Sequence, residues 1–384
     1  LSLCRMTADE SRVAELRELV FSHLTPYYDT HFNLLRWIQG NPGMPMDKIA
    51  ARLKHHLQFR ACSWEIESIR EREKGYHPLH EYWPRTKCGM SGVVPNCIVH
   101  VEQSGRVDFE GMVDNYSITE ITKASLHGLE EMLADVMRIE KETGQQGSII
   151  TVMDAEGIEY SKKLFDTTLR TMRTMSEFMA DHYVELVSSI VVVNVPSWAN
   201  MLWAMVKPML PERTRMKVRL LSSSNWREEI KTIMDPSICP SFWNNETHDE
   251  FTLPLERPRK VPRVEIKEPP KNTNKLVVKA GKEHCFEYKL SEGDRLSFHI
   301  TGNNNFGFAV VHAENANDDD ITEMPQIYPL FSHSLPGPLL IPIEDSIMAP
   351  VSGIYKVWFS NARAWWSSLV IHHSITITKS EEIQ

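Results

Sequence analysis

Two carboxylates one residue apart, Asp154 and Glu156, follow the apolar run Ile149-Ile150-Thr151-Val152-Met153. At the carboxyl end of a parallel strand, where α/β folds hold their ligands, such a pair can divide general-acid and general-base roles. The plainer reading, a solvated strand-end turn, is the expected one. Nothing nearby supplies a nucleophile: the chain has no GxSxG elbow, no GxxxxGK phosphate loop and no HExxH. His55-His56 and His372-His373 are adjacent pairs. Neighbours on a strand point to opposite faces, so neither pair is expected to close on one metal ion. Glu185, Thr214 and Lys217 form a polar trio, the first after a helical segment and the others flanking the turn into an apolar strand. They read as three exposed polar residues near loops. The expectation is a protein that is not an enzyme and holds neither metal nor cofactor.

These groups flank the stretch from Ser189 to Ser222, around which the chain is organised. Ile190-Val191-Val192-Val193 is apolar without alternation, as in a strand buried on both faces. Pro196-Ser197 stops it, and Ser197 is the expected N-cap of a helix. That helix carries Trp198, Met201, Leu202, Met205, Val206 and Met209 at three- and four-residue steps, with Trp203 between them and Leu210 at its end. Its apolar surface wraps nearly all the way round, which requires two apolar surroundings. One is the core. The second is either more core or a bound apolar molecule.

The elements that position this stretch change class along the chain. Residues 1–75 read as helical: Val13, Leu16, Leu19 and Val20 share a face, Asp29 or Thr30 can cap a second helix, and Asp47 a third. The charged segment from Glu67 to Lys74 reads as a solvated face. Residues 76–245 alternate strands and helices, which implies a mostly parallel sheet covered by helices. There, Ile98–Val101 and Arg106–Phe109 read as a hairpin-like pair, and Leu126 to Met137 as a helix ending at Gly144. Ser161 can cap a further helix through Leu164, Phe165, Leu169, Met172, Phe178 and Met179. Residues 246–275 mix prolines with charges and read as an extended linker lying along the surface. In 276–380, short alternating runs such as Leu296-Phe298-Ile300 and Tyr355-Val357-Phe359 read as a β-sandwich.

Composition bounds the partners. The 384 residues carry a net charge of −9, which argues against a general nucleic-acid binder. Six scattered cysteines without a CxxC pair fit reduced thiols of a cytoplasmic protein. No run of about eighteen apolar residues occurs, so no spanning helix is expected. The opening LSLCRMTADES is too short and polar for a secretory core and lacks an initiator Met, so it says nothing of what precedes it. Asn115-Tyr116-Ser117 and Asn245-Glu246-Thr247 match the glycosylation pattern and read as chance matches.

The order of these elements, and particular words within it, resemble the CRAL-TRIO lipid-transfer family. The words are Asn194-Val195-Pro196, Val206-Lys207-Pro208-Met209-Leu210, Arg213-Thr214 with Lys217-Val218, and Asp235-Pro236. Gly105-Arg106-Val107-Asp108 and Asp154-Ala155-Glu156-Gly157 match two further landmarks, and Asn33 to Arg60 looks like the family's helical lead-in. The tail resembles a GOLD domain in Pro342-Ile343-Glu344-Asp345, Gly353-Ile354-Tyr355 and Phe359-Ser360-Asn361 with Trp365-Trp366. This tandem is the layout of the tocopherol-associated, supernatant-protein-factor group.

The resemblance implies that Trp198 to Leu210 gate a hydrophobic cavity whose floor is the sheet. It also implies non-enzymatic binding and transfer of a lipid between membranes, with transient membrane contact and a cytoplasmic, membrane-peripheral location. The alternative is a trafficking adaptor that binds a protein partner through the GOLD domain. In phosphatidylinositol-binding members a lead-in Arg, a Glu-Arg pair, a Thr and a Lys hold the headgroup. Glu185, Thr214 and Lys217 match, but Leu186 and Gly40 stand where the arginines would be. Without those two forks a phosphoinositide is disfavoured and a neutral cargo expected. The family's closing turn is replaced here by Cys239-Pro240 and Asn244-Asn245.

Overall fold

Three helices open the chain in the computed structural model, which describes residues 8–73, 75–159, 161–162, 174–210, 212–221, 224–262, 272–315 and 317–382. They are α1 (Ala8–Val20), α2 (His31–Gly40) and α3 (Met46–Arg60). The Thr30 hydroxyl caps α2 by accepting from the Asn33 amide. α3 begins behind Pro45 with Asp47 already in its first turn, so the cap expected at Asp47 is displaced. Pro45 presets the backbone there and needs no side-chain cap. Val13, Leu16 and Val20 are buried, whereas Leu19 is 54% exposed, being turned off that stripe by helical geometry. His55 and His56 lie on α3, not on a strand.

Two buried ion pairs fasten the lead-in to the long helix Ile118–Thr143. The Arg60 guanidinium forks onto Glu130 at 2.8 and 2.9 Å, and Arg36 pairs with Glu140. Glu67 accepts a further bond from Arg60 at 2.6 Å, and Arg70 stacks 3.8 Å over Tyr27, so the charged segment is more than a solvated face. The long helix starts in a capping box of Ser117 and Glu120 and ends at Gly144 in the left-handed region, φ 69°.

A five-stranded sheet runs β1 (Arg85–Met90), β2 (Cys97–Glu102), β3 (Ser148–Asp154), β4 (Val187–Val193) and β5 (Val218–Leu220) in spatial order. β2 to β5 are parallel and β1 is antiparallel to β2, so the sheet is mixed with a parallel majority. The expected return strand at Arg106–Phe109 does not form. Ser104–Arg106 is a 3₁₀ turn, and Asp108 caps the helix Phe109–Asn115 by accepting from the Gly111 amide. Gly105 forces this course: a Cβ there would lie 2.4 Å from the Ala155 carbonyl carbon. The two landmark words, around Gly105 and around Asp154, thus meet backbone to backbone. Of the helix expected after Ser161, residues 174–182 are described and helical, while Leu164, Phe165, Leu169 and Met172 lie outside the described residues.

Strand alternation divides the sheet's faces. Ile150 and Val152 of β3 and Val191 and Val193 of β4 join Trp226, Ile230, Met234, Trp243 and Phe251 in one core. Residues 246–255 strap this face, with Phe251 in its core and Leu255 packed against it. Leu253 donates to the Cys239 carbonyl at 3.0 Å, and the Asn244 side chain bonds the Phe251 backbone in both directions at 2.8 and 3.1 Å.

The C-terminal part is two antiparallel four-stranded sheets, built from β6 (Asn274–Val278), β7 (Glu283–Leu290), β8 (Arg295–Gly302), β9 (Phe306–Ala313), β10 (Gln326–Leu335), β11 (Ile343–Met348), β12 (Gly353–Ser360) and β13 (Leu369–Thr378). Their orders are β10-β9-β12-β7 and β11-β8-β13-β6. β10 packs on the lead-in: Trp64 meets Tyr328 edge-on at 5.4 Å, and Ser63 donates to the Ile327 carbonyl at 2.8 Å. One continuous apolar core therefore spans lead-in and sandwich.

Candidate functional site

The other face of the sheet floors a cavity of about 670 Å³. Thr151 and Met153 of β3 and Ile190 and Val192 of β4 point into it, each one residue out of phase with the packed core. Leu129 and Met132 of the long helix form a wall, and Met175 and Met179 of the 174–182 helix another. A run apolar on both faces of the sheet is thus explained by core on one side and cavity on the other.

The helix expected to gate it spans Ala199–Val206 and continues as a 3₁₀ turn through Lys207–Met209. Trp198, not Ser197, is its N-cap; Trp198 is already helical and makes no side-chain cap, and a backbone turn from the Pro196 carbonyl to the Ala199 amide at 2.9 Å leads into the helix. Trp198, Trp203 and Leu210 line the cavity. Met201 and Met205 point outward, 58% and 47% exposed. The side chains of Leu202, Val206 and Met209 fall outside the described residues.

Glu185, Thr214 and Lys217 all line the cavity together with Arg213. Glu185 sits in the left-handed region at φ 55°, a conformation that a non-glycine residue adopts only when its surroundings impose it. Its carboxylate accepts from Arg213 at 2.8 Å and Lys217 at 3.1 Å. Lys217 also donates to the Val187 carbonyl at 2.8 Å, and Arg213 to that of Gln39 at 2.8 Å. Arg213 was legible only as part of a motif word; no sequence signal pointed it at Glu185. Leu186 is buried in the core, and Gly40 lines the cavity without a side chain, a Cβ there lying 2.0 Å from Val184 Cγ1, so neither position presents a cation.

A second polar group went unnoticed in the sequence. His100, one of the strand residues that floor the cavity, is 5% exposed, and neither ring nitrogen has a hydrogen-bond partner. Burial lowers its pKa to about 4, so the ring is neutral near pH 7, one nitrogen a donor and the other an acceptor. The buried Trp83 Nε1, also on the cavity, is unpartnered too. Beside them Arg85 donates to Glu102 at 3.3 Å and Ser104 to the same carboxylate at 2.6 Å. Unpaired polar atoms in an apolar wall cost free energy unless a ligand group meets them.

The carboxylate pair is not a catalytic pair. Asp154 is buried and accepts from Trp243 Nε1, Asn194 Nδ2 and the Glu156 amide, each at 2.9 Å. Glu156 turns away to Arg106 at 3.2 Å. His56 is buried against His182, with 3.3 Å between their Nδ1 atoms, while His373 is buried and His372 exposed. Among the described residues one cluster has metal-like spacing, Glu228, His248 and Glu250. The Lys231 ammonium bonds both of its carboxylates at 2.9 Å and supplies the positive charge there.

Residues 95–244 match the family model of the CRAL/TRIO domain, and residues 261–384 that of the F28H7_8_C:-like, C-terminal domain. CRAL-TRIO domain-containing protein F28H7.8 of Caenorhabditis elegans is 24% identical over 375 residues, covering 93% of this chain and 87% of that protein. Protein ctg-1 of the same organism is 23% identical over 392 residues, 96% of each. Phosphatidylinositol/phosphatidylcholine transfer protein SFH9 of Arabidopsis thaliana is 20% identical over 225 residues, 57% of this chain and 38% of that one. Among solved structures, the crystal structure of Sfh5 is similar with a TM-score of 0.48 at 15% identity, covering 62% of this chain and 87% of that chain. The chain thus carries a CRAL-TRIO domain followed by an F28H7_8_C:-like C-terminal domain, and it is homologous to the CRAL-TRIO proteins.

Proposed function

We propose that this protein is a non-enzymatic carrier that takes a hydrophobic lipid into the cavity and passes it between membranes, with helix Ala199–Val206 as the gate. The observation that carries this reading is the cavity itself: about 670 Å³, walled mostly by apolar side chains, within the range of small-molecule sites. A twelve-carbon chain buried there gains roughly 10 kcal/mol, at about 0.8 kcal/mol per methylene. Trp203 faces that space while Met201 and Met205 face outward, so the gate presents apolar groups both to a cargo and to a bilayer.

The cargo we infer is neutral or zwitterionic. Arg213 and Lys217 are already engaged by Glu185 and by main-chain carbonyls, leaving the mouth few free donors for a phosphate. The unpartnered His100 and Trp83 atoms would meet a hydroxyl or carbonyl of the cargo. The relative SFH9 is named for both phosphatidylinositol and phosphatidylcholine; the charge balance here favours the latter kind. The sandwich we read as a GOLD-type module and the tandem as the tocopherol-associated layout, supported by the two antiparallel sheets and the quoted tail words. No helix among the described residues is long and apolar enough to cross a membrane. We read the protein as working at the cytoplasmic periphery of membranes, a reading supported by the described cysteines, which are free thiols.

Native mass spectrometry of the purified protein is the test. One lipid per chain, mainly neutral or zwitterionic, is expected. A well-folded protein that carries no lipid and takes none from mixed vesicles would leave the cavity structural and overturn the reading.

A further inference from the structure

At one end of the sandwich the β12–β13 loop displays Trp365 and Trp366, 89% and 90% exposed. The loop is held firmly. Asn361, 3% exposed, donates from its side chain to the carbonyls of Val278 at 3.0 Å and Ser367 at 2.9 Å. Its backbone pairs with the β6–β7 turn: Gly281 donates to Asn361, which donates to Lys282, at 3.0 and 2.9 Å. That turn brings the exposed Lys279 and Lys282 beside the tryptophans, and neither has an ion-pair partner among the described residues. Asn304 donates to the Ser368 carbonyl at 3.2 Å and Leu339 to that of Gly302 at 3.0 Å, which places the 59%-exposed Leu340 at the same end. Arg363, in the same loop, reaches Glu177 at 3.6 Å. Glu177 belongs to the 174–182 helix, whose Met175 and Met179 wall the cavity.

We infer that this end of the sandwich is a docking surface for a bilayer that contains anionic lipid. Two adjacent indoles held out in water favour burial, and their amphipathic rings suit the headgroup level of a membrane. Lys279 and Lys282 set two exposed cations at this end of a chain of net charge −9, which fits an anionic surface. The Arg363–Glu177 contact ties the patch to the cavity wall, so docking would bring that wall to the membrane. The inference is separate from cargo exchange, because it is read from binding alone.

Co-sedimentation of the full chain with vesicles, of phosphatidylcholine alone and with a quarter phosphatidylserine, tests it. Trp365→Ala with Trp366→Ala should weaken binding to both vesicles by roughly tenfold or more, from lost apolar insertion. Lys279→Gln with Lys282→Gln should weaken binding only to the serine-containing vesicles, by about fivefold per lysine at about 1 kcal/mol each. Unfolding temperatures should stay unchanged, since all four side chains are exposed. Brominated phosphatidylcholine should quench the fluorescence of the unaltered chain more than that of the tryptophan variant. Vesicle binding unaffected by the tryptophan substitutions would overturn the inference. So would a change confined to self-association in sedimentation velocity, which would assign the patch to a second copy.

Discussion

A one-residue shift on β4 separates a cavity from a packed core. Val192 faces the cavity, while its neighbour Val191 is fully buried against the Trp226, Ile230 and Trp243 cluster. Val192→Trp adds about seven heavy atoms to the space a lipid would fill. Each chain methylene displaced forfeits about 0.8 kcal/mol, so four displaced methylenes weaken binding by about 3 kcal/mol, roughly two-hundredfold. The fold should tolerate the change, because the indole enters the cavity. Val191→Trp makes the same chemical change on the packed face, where overpacking costs typically 1–3 kcal/mol or more. The assays are the lipid content of the purified protein by native mass spectrometry, displacement of a fluorescent fatty acyl probe, and urea unfolding. The expected pattern is loss of lipid with a normal midpoint for Val192→Trp, and a lowered midpoint for Val191→Trp. If Val192→Trp retains its lipid, or if both variants unfold alike, the assignment of the two faces is wrong.

Three further outcomes are expected. Glu185→Gln releases Arg213 and Lys217 from their shared carboxylate, so uptake of anionic lipid should rise roughly threefold to tenfold, about 1 kcal/mol for a partly exposed pair, with neutral uptake unchanged in a mixed-vesicle competition. Glu130→Ala strips the buried Arg60 of its fork and Tyr183 of its acceptor, which should lower stability by about 3–5 kcal/mol in urea titrations; a loss under 1 kcal/mol would show that Glu67 alone suffices. Burial holds His56 and His182 well below their usual range and lowers His55 to about 4. These rings are neutral when folded but take protons near pH 6.5 when unfolded, so stability is complete above pH 6.5. It should fall as pH drops from 6.5 toward 4, by up to about 1.4 kcal/mol per pH unit per ring. A flat midpoint between pH 7 and 5 would contradict this.

Period and punctuation make much of the fold legible in the sequence. Leu126 to Met137 at helical spacing, closed by Gly144, gave a helix whose face is set by its own sequence. The apolar run Ile190–Val193 gave a central strand, and short alternating runs past residue 280 gave a sandwich, because strand and helix periods are local properties. Local signals failed where a distant neighbour outweighed them. Arg106–Phe109 looked like a returning strand, but the approach of Gly105 to Ala155 and the cap from Asp108 turn it into a helix start.

The candidate site divides along the same line. The words of the Ala199–Val206 helix, with Glu185, Thr214 and Lys217, are visible in the sequence as residue types in order. Which faces of them meet the cavity is not: Met201 and Met205 face out and Trp203 in, because the sheet behind the helix decides which side is covered. Asp154 reads in the sequence as part of a solvated strand-end turn, whereas it is buried and bonded by Trp243, 89 residues away. His100 carried no motif, and Arg213 meets Glu185 across 28 residues. Sequence alone determined the elements, since each depends on neighbours a few residues away. Only the tertiary structure decided which polar groups are paired and which are left facing the cavity, since pairing depends on the packing of residues far apart in the chain.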